Sequence, residues 1–274
     1  MRKLVARRLR NTGIFIALAV AVVVAEAILA VQLYRTPFVT GWLLLVLIVG
    51  LTTYNIRKRL PFLPLGKSSS WLQIHIYTGL LSGVVFASHI HYHLPNGFFE
   101  CALAAMYLGV FLSGVTGLFL TRVIPRRLAS RGEEVIFERI PIFLKRLRDD
   151  VEQLVFDSAS NVDSTAISDI YLNHLKSFFE APRNVLWHVL HSGRPRRRLM
   201  LEINSQQRFL NNDEQSVMQS ITDLVNVKDD LDYQFALQAT LKVWLFVHAP
   251  LTYGLLVFVV YHLIMVYAFA GGNL

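Results

Sequence analysis

Apolar residues in this chain gather into long blocks. About 20 consecutive apolar residues in a helix cross a bilayer core about 30 Å thick. Five blocks approach or exceed that length: residues 14–34, 39–54, 71–92, 98–121 and 241–270. The stretch between the fourth and fifth, residues 122–240, is polar. Its apolar positions return with a helical period. Between Glu133 and Phe156 they fall at 135, 136, 140, 143, 147, 151, 154 and 155. Asp163 or Ser164 is placed to cap a helix running to about Glu180, and Asp213 to cap another toward Val227. Pro182 and Gly193-Arg194-Pro195 punctuate the interval. From Asp229 the pattern runs into the last block. The expected fold is an all-α integral membrane protein with five transmembrane helices and a helical cytoplasmic domain inserted between helices 4 and 5. The expected division is 1–121 for helices 1–4, 122–240 for the inserted domain and 241–274 for the fifth helix.

Charge sets the expected orientation. Arg2, Lys3, Arg7, Arg8 and Arg10 accompany the start of the first block. Arg57, Lys58, Arg59 and Lys67 lie between the second and third, and Arg122, Arg126, Arg127 and Arg131 follow the fourth. The other two connections hold only Arg35 and, at Leu94-Pro95-Asn96-Gly97, no charge. The positive-inside rule then gives a cytoplasmic N-terminus, a cytoplasmic inserted domain and a periplasmic C-terminus in a bacterial inner membrane. The first block resembles a secretory signal, with Ala25-Glu26-Ala27 as a small-residue cleavage site, but is read as a retained span. Trp42, Trp71 and Trp244 fall near expected span ends, where an aromatic belt belongs. The net charge of +8 is explained by topology and anionic lipid, so no nucleic-acid partner is expected. Residues 122–232 are near neutral, with 16 Lys/Arg against 17 Asp/Glu. The single cysteine, Cys101, excludes intrachain disulfides and cysteine-held iron–sulfur clusters. No dinucleotide fingerprint or phosphate loop is present, which argues against a nucleotide- or flavin-binding reductase domain. The inserted region is expected to dock on the membrane helices and on a protein partner.

Candidate chemistry lies in four histidines. His75 and His89 in the third block are fourteen residues apart, as are His248 and His262 in the fifth. Fourteen helical residues return to within about 40° of the same face, about 21 Å further along. The third and fifth spans are separated by one span, so they run parallel and pair like with like. His75 then opposes His248 near the cytoplasmic edge, and His89 opposes His262 near the outer edge. Neutral imidazoles facing each other across two helices are suited to a haem iron. Gly79, Ser82 and Phe86 share the face between the two histidines of the third block, and Gly79 and Gly83 leave room for a flat macrocycle. The same glycines also suit a small-xxx-small helix contact. On the fifth span Thr252, Leu255 and Val259 share a face with Gly254 beside them, and Pro250 bends the start.

This arrangement resembles the transmembrane di-haem b-type cytochromes, which include the cytochrome b of quinol-oxidising complexes and the ferric-reductase-like membrane domains. The use of the third and fifth spans is closer to the latter. The resemblance covers about a fifth of the chain and implies a haem scaffold, not a substrate. It implies two haem b groups held by His75, His248, His89 and His262, with Gly79, Gly83 and Phe86 beside them. No CxxCH attachment motif is present, so the haems are expected to be non-covalent. The expected function is that of a membrane subunit carrying electrons across the bilayer. Its donor would be a quinol or a cytoplasmic redox protein, and its acceptor a periplasmic cytochrome. Two alternatives are a quinol-oxidising subunit with a quinone pocket beside one haem, served by Glu26 or His93, and a haem-free scaffold or sensor using the histidines as polar glue.

Other groups carry less. His93 shares the helical face of His75 and is an alternative to His89, whereas His91 faces elsewhere. His174, His188 and His191 are expected to be structural. Glu26 lies deep in the first block, where a charge is costly, and Glu100 lies at an interface. Arg194, Arg196, Arg197 and Arg198 form a basic run suited to lipid headgroups, haem propionates or solvent.

Overall fold

The computed structural model describes residues 2–31, 36–59, 67–131, 135–162 and 165–269. Tyr34, Arg35, Glu133, Ala270 and the expected caps at Asp163 and Ser164 lie outside the described residues. The described secondary structure is entirely helical: α1 (Arg2–Val31), α2 (Thr36–Arg59), α3 (Ser68–His89), α4 (Phe98–Leu128), α5 (Ile140–Val162), α6 (Ala166–Ile170), α7 (Lys176–Glu180), α8 (Val185–Val189), α9 (Arg194–Gln207) and α10 (Asn212–Phe269). A single 3₁₀ turn, Phe137–Arg139, leads into α5, and a π turn, Tyr171–Leu175, joins α6 to α7.

Among the described residues, four helices are long and apolar enough to cross a membrane: Leu9–Val31, Thr36–Tyr54, Phe98–Leu128 and Asn212–Phe269. The most apolar window of the first has a mean hydropathy of 2.9, yet none of that window is buried. A surface that apolar suits lipid rather than water. Helix α3 is 22 residues long, but Gln73, His75, His89 and five serines dilute its apolar character.

The chain divides into two compact units, Met1–Leu118 with Leu245–Leu274, and Phe119–Trp244. In the first, Leu44 and Ile48 of α2, Val85 and Phe86 of α3, Tyr107 of α4 and Leu255 of α10 form a common core. The second has a larger core. Val151 and Val155 of α5, Ile167 and Phe179 around the π turn, Ile203 of α9 and Ile221 and Val225 of α10 belong to it.

Helix ends depart from the sequence expectation for local reasons. The third block stops at His89 rather than Tyr92, because His91 (φ 51°) and Tyr92 (φ 57°) take left-handed backbone before Pro95. His93 is therefore off the helix, and the face it was expected to share with His75 does not extend to it. Helix α4 continues through Pro125 to Leu128. The helix expected from Asp213 to Val227 is fused with the last block into α10. Its cap is Asn211, not Asp213: Glu214 N–H donates to Asn211 Oδ1 at 2.9 Å, and Asn211 N–H donates to Glu214 Oε2 at 2.8 Å. This reciprocal pair is a capping box.

Candidate functional site

Helices α2 and α3 lie side by side in opposite directions, tied near both ends. His89 Nδ1 donates to the Pro37 carbonyl at 3.0 Å, with Thr40 Oγ1 3.2 Å away. His75 Nδ1 donates to the Leu51 carbonyl at 3.2 Å. A carbonyl can only accept, so Nδ1 carries the proton and the lone pair of each neutral ring is on Nε2. Imidazoles that bind metal commonly fix their tautomer in this way. Pro37 and Leu51 are themselves fourteen residues apart, so the acceptors on α2 repeat with the step of the imidazoles on α3.

At the His89 end the space beside the ring is shaped by Gly41. A Cβ there would lie 3.0 Å from His89 Cε1 and 3.5 Å from Nδ1. His89 and His262 line one cavity of about 560 Å³, with Gly41, Trp42, Phe86, Tyr107, Leu255 and Tyr267 among its walls. Apart from the two imidazoles its lining is dominated by aliphatic and aromatic side chains, the kind of site that takes an apolar ligand or cofactor. The His262 ring stacks near Phe99, with centroids 6.3 Å apart and planes 24° apart. The structure thus brings together one of the two expected histidine pairs.

The other pair is anchored separately. His75 lies beside the Tyr54 ring, 5.1 Å between centroids, and His248 Nδ1 is 3.2 Å from Ser113 Oγ on α4. The two glycines between the sites differ. Gly79 faces Leu51, and a Cβ at Gly83 would lie 2.6 Å from the Phe111 ring. Phe111 takes the space expected to receive a macrocycle at Gly83. Phe86 begins an aromatic column: its ring stacks on Tyr107 at 4.1 Å, and Tyr107 on Phe111 at 6.2 Å. The Tyr107 hydroxyl is 2.9 Å from Ser82 Oγ.

His93 is exposed, and its Nδ1 lies 2.6 Å from the His91 carbonyl, so it belongs to the loop rather than to the cavity. Glu26 accepts a hydrogen bond from the buried Ser88 hydroxyl, and His91 Nδ1 is 3.9 Å from its carboxylate. Among the described residues no three of His, Cys, Asp and Glu gather as a metal-binding cluster.

Sequence reasoning missed a buried ionic cluster in the second unit. Lys228, Asp229 and Asp232 of α10 and His188 of α8 are all buried. Lys228 Nζ donates to Asp232 at 2.5 Å and to the Ala181 carbonyl at 2.8 Å. Asp229 receives Arg131 at 3.5 Å and His188 Nε2 at 3.7 Å, the latter too long for a hydrogen bond. Burial pushes the Asp232 carboxyl up to about 6 despite Lys228, and pushes the Lys228 amine below its usual range. It also holds the His188 imidazole below its ordinary value, with Asp229 working against the shift. Asp232 Oδ1 and His188 Nε2 are buried without a hydrogen-bond partner. His191 also flanks this cluster, its Nδ1 3.5 Å from the Tyr233 hydroxyl, while His174 pairs with Glu202 at 2.7 Å.

Compared with family models, with curated proteins and with solved structures, the chain matches none.

Proposed function

We propose that this chain is a di-haem b-type membrane subunit that carries electrons across a bilayer. Five helices cross the membrane in this reading, α3 included, with residues 122–240 on the cytoplasmic side. His75 and His248 hold the inner haem, and His89 and His262 the outer one. The observation that carries the reading is the outer site: two imidazoles on one apolar cavity, one with Nδ1 tied to a carbonyl and Nε2 left with the lone pair. At the outer site the residues present fit the group. His89 and His262 would hold the haem iron, and Gly41 provides the clearance that a packed His89 ring needs.

When bound, such a haem would supply one-electron transfer. The chain's own residues do the rest. Pro37 and Thr40 fix the His89 tautomer, Phe86 and Leu255 keep water from the cavity, and Ser113 orients His248. The donor is a quinol or a cytoplasmic redox protein, and the acceptor an outer cytochrome.

The test is an optical spectrum of the purified, cofactor-replete protein with single histidine variants. Two non-covalent haems per chain are expected. His89→Ala and His262→Ala should remove one spectral component, and His75→Ala and His248→Ala the other. His93→Ala should leave both. One haem or none, or His75→Ala matching His262→Ala, would overturn the reading.

A further inference from the structure

The short helix α8 and the loop after it expose residues that water does not favour. Leu186, Trp187 and Leu190 are 75%, 43% and 72% exposed. Helix α9 follows four residues later and is two-sided. Arg194, Arg197, Arg198 and Leu201 fall at steps of three and four, so they share one helical face, and all four are exposed. Ile203 on the opposite side is buried, and Leu199 and Met200 pack against the same core. Among the described residues the guanidinium groups of Arg194, Arg197 and Arg198 make no ion pair, whereas Arg196 on the inner side reaches Asn226 at 2.9 Å and Asp229 at 4.0 Å. Both helices sit on one stretch of α10, since Asp229 also faces His188 of α8.

Their level relative to a bilayer is set by α4. Arg127 Nη1 donates to the Val189 carbonyl at 2.9 Å, which ties α8 to the end of α4. Arg127 lies six residues beyond Thr121, the last residue of the apolar block, or about 9 Å along the helix. The headgroup layer on each side of a bilayer is about 5–8 Å deep. Helix α8 is thus held at the outer margin of the headgroup layer by the helix that leaves the membrane there.

We propose that residues 186–201 form an interfacial foot on the anionic leaflet from which α4 emerges. Leu186, Trp187 and Leu190 enter the acyl boundary, and Arg194, Arg197 and Arg198 contact lipid phosphates. A lipid surface is favoured over a protein partner by charge complementarity and by position. Three arginines beside a tryptophan and two leucines at the headgroup margin match the composition of interfacial helices. The inference rests on α4 crossing a bilayer and not on the haem reading, so either can fail alone.

The test uses the full chain carrying Cys101→Ser and Leu190→Cys, labelled with a nitroxide, in phosphatidylcholine nanodiscs with or without about one-third phosphatidylglycerol. Collisions with oxygen and with a water-soluble nickel chelate report depth. In anionic discs the label should favour oxygen, with nickel collisions roughly tenfold fewer than for a control label at Phe209→Cys, an exposed site of the same unit. Removing the anionic lipid, or introducing Arg194→Glu, Arg197→Glu and Arg198→Glu together, should return the label toward water. The Phe209 label should stay water-accessible throughout, which also reports that the unit remains folded. A Leu190 label open to nickel in anionic discs would overturn the proposal. So would one shielded from both reagents, which means a protein cover, or one indifferent to lipid charge and to the arginine variants.

Discussion

At the scale of single residues, Gly41 is the position where the proposed outer site is most sensitive. A Cβ there meets His89 Cε1 at 3.0 Å, so Gly41→Ala should turn or shift the ring. Groups that orient a metal ligand typically change affinity by about 10–100-fold when altered, and outer-haem occupancy read from the optical spectrum should fall accordingly. Gly50→Ala on the same helix, with nothing within 4 Å, should leave the spectrum unchanged. In the second unit Lys228 and Asp232 depend on each other. Asp232→Ala leaves a buried amine without its carboxylate, which should cost about 3–5 kcal/mol, read as a lower thermal midpoint. The double variant Lys228→Met, Asp232→Leu should recover most of that loss. A single variant as stable as the parent would show that the pair is not coupled. His188 gives a pH dependence of known sign. Burial lowers its folded-state pKa, so stability from this group is present above the ordinary histidine value of about 6.5 and is lost as pH falls below it. Asp232, held up at about 6, contributes in the opposite sense, gaining stability as pH falls through that value. The difference between parent and His188→Gln profiles isolates the histidine, and the parent's advantage should shrink on acidification. A difference independent of pH would contradict this account.

At the scale of elements, the capping box at Asn211 and Glu214 starts the longest helix. Asn211→Ala should lower the stability of the second unit by about 1 kcal/mol, measured by thermal melting. The apolar blocks made the long helices legible in sequence, because length and hydropathy are properties of the blocks themselves. Their ends were less legible. The stop at His89 depends on two non-glycine residues adopting left-handed backbone, which the sequence does not require. The fourteen-residue spacing of the histidines was visible, but the acceptors at Pro37 and Leu51 were not, since a backbone carbonyl has no letter of its own. The Lys228–Asp232 pair does not stand out in the sequence. Its signal lay in register: Met218, Ile221, Val225, Lys228, Asp232 and Ala236 fall on one stripe at steps of three and four, and all are buried. Charges on an otherwise apolar stripe mark a core position. Phe111 filling the space at Gly83 is a contact from another helix, and nothing local announces it.

At the scale of the molecule, sidedness can be read first from the chain's own cysteine. Cys101 is exposed at the start of α4, so a membrane-impermeant maleimide should label it from outside intact cells. In a Cys101→Ser background, Ser160→Cys should react only after permeabilisation. The reverse pattern would invert the proposed orientation and exchange the inner and outer sites. The paired anchors between α2 and α3 also constrain how such a molecule can change length. Fourteen residues are two heptads, and a straight helix drifts about 20° per heptad from a seven-residue repeat. Imidazoles that meet carbonyls of α2 at both ends therefore lie on one seam between the two helices. The separation of the two sites is then quantised in sevens. Removing one heptad from both helices brings the anchors about 10 Å closer with each imidazole still on its carbonyl, whereas removing three or four residues turns one ring off the seam.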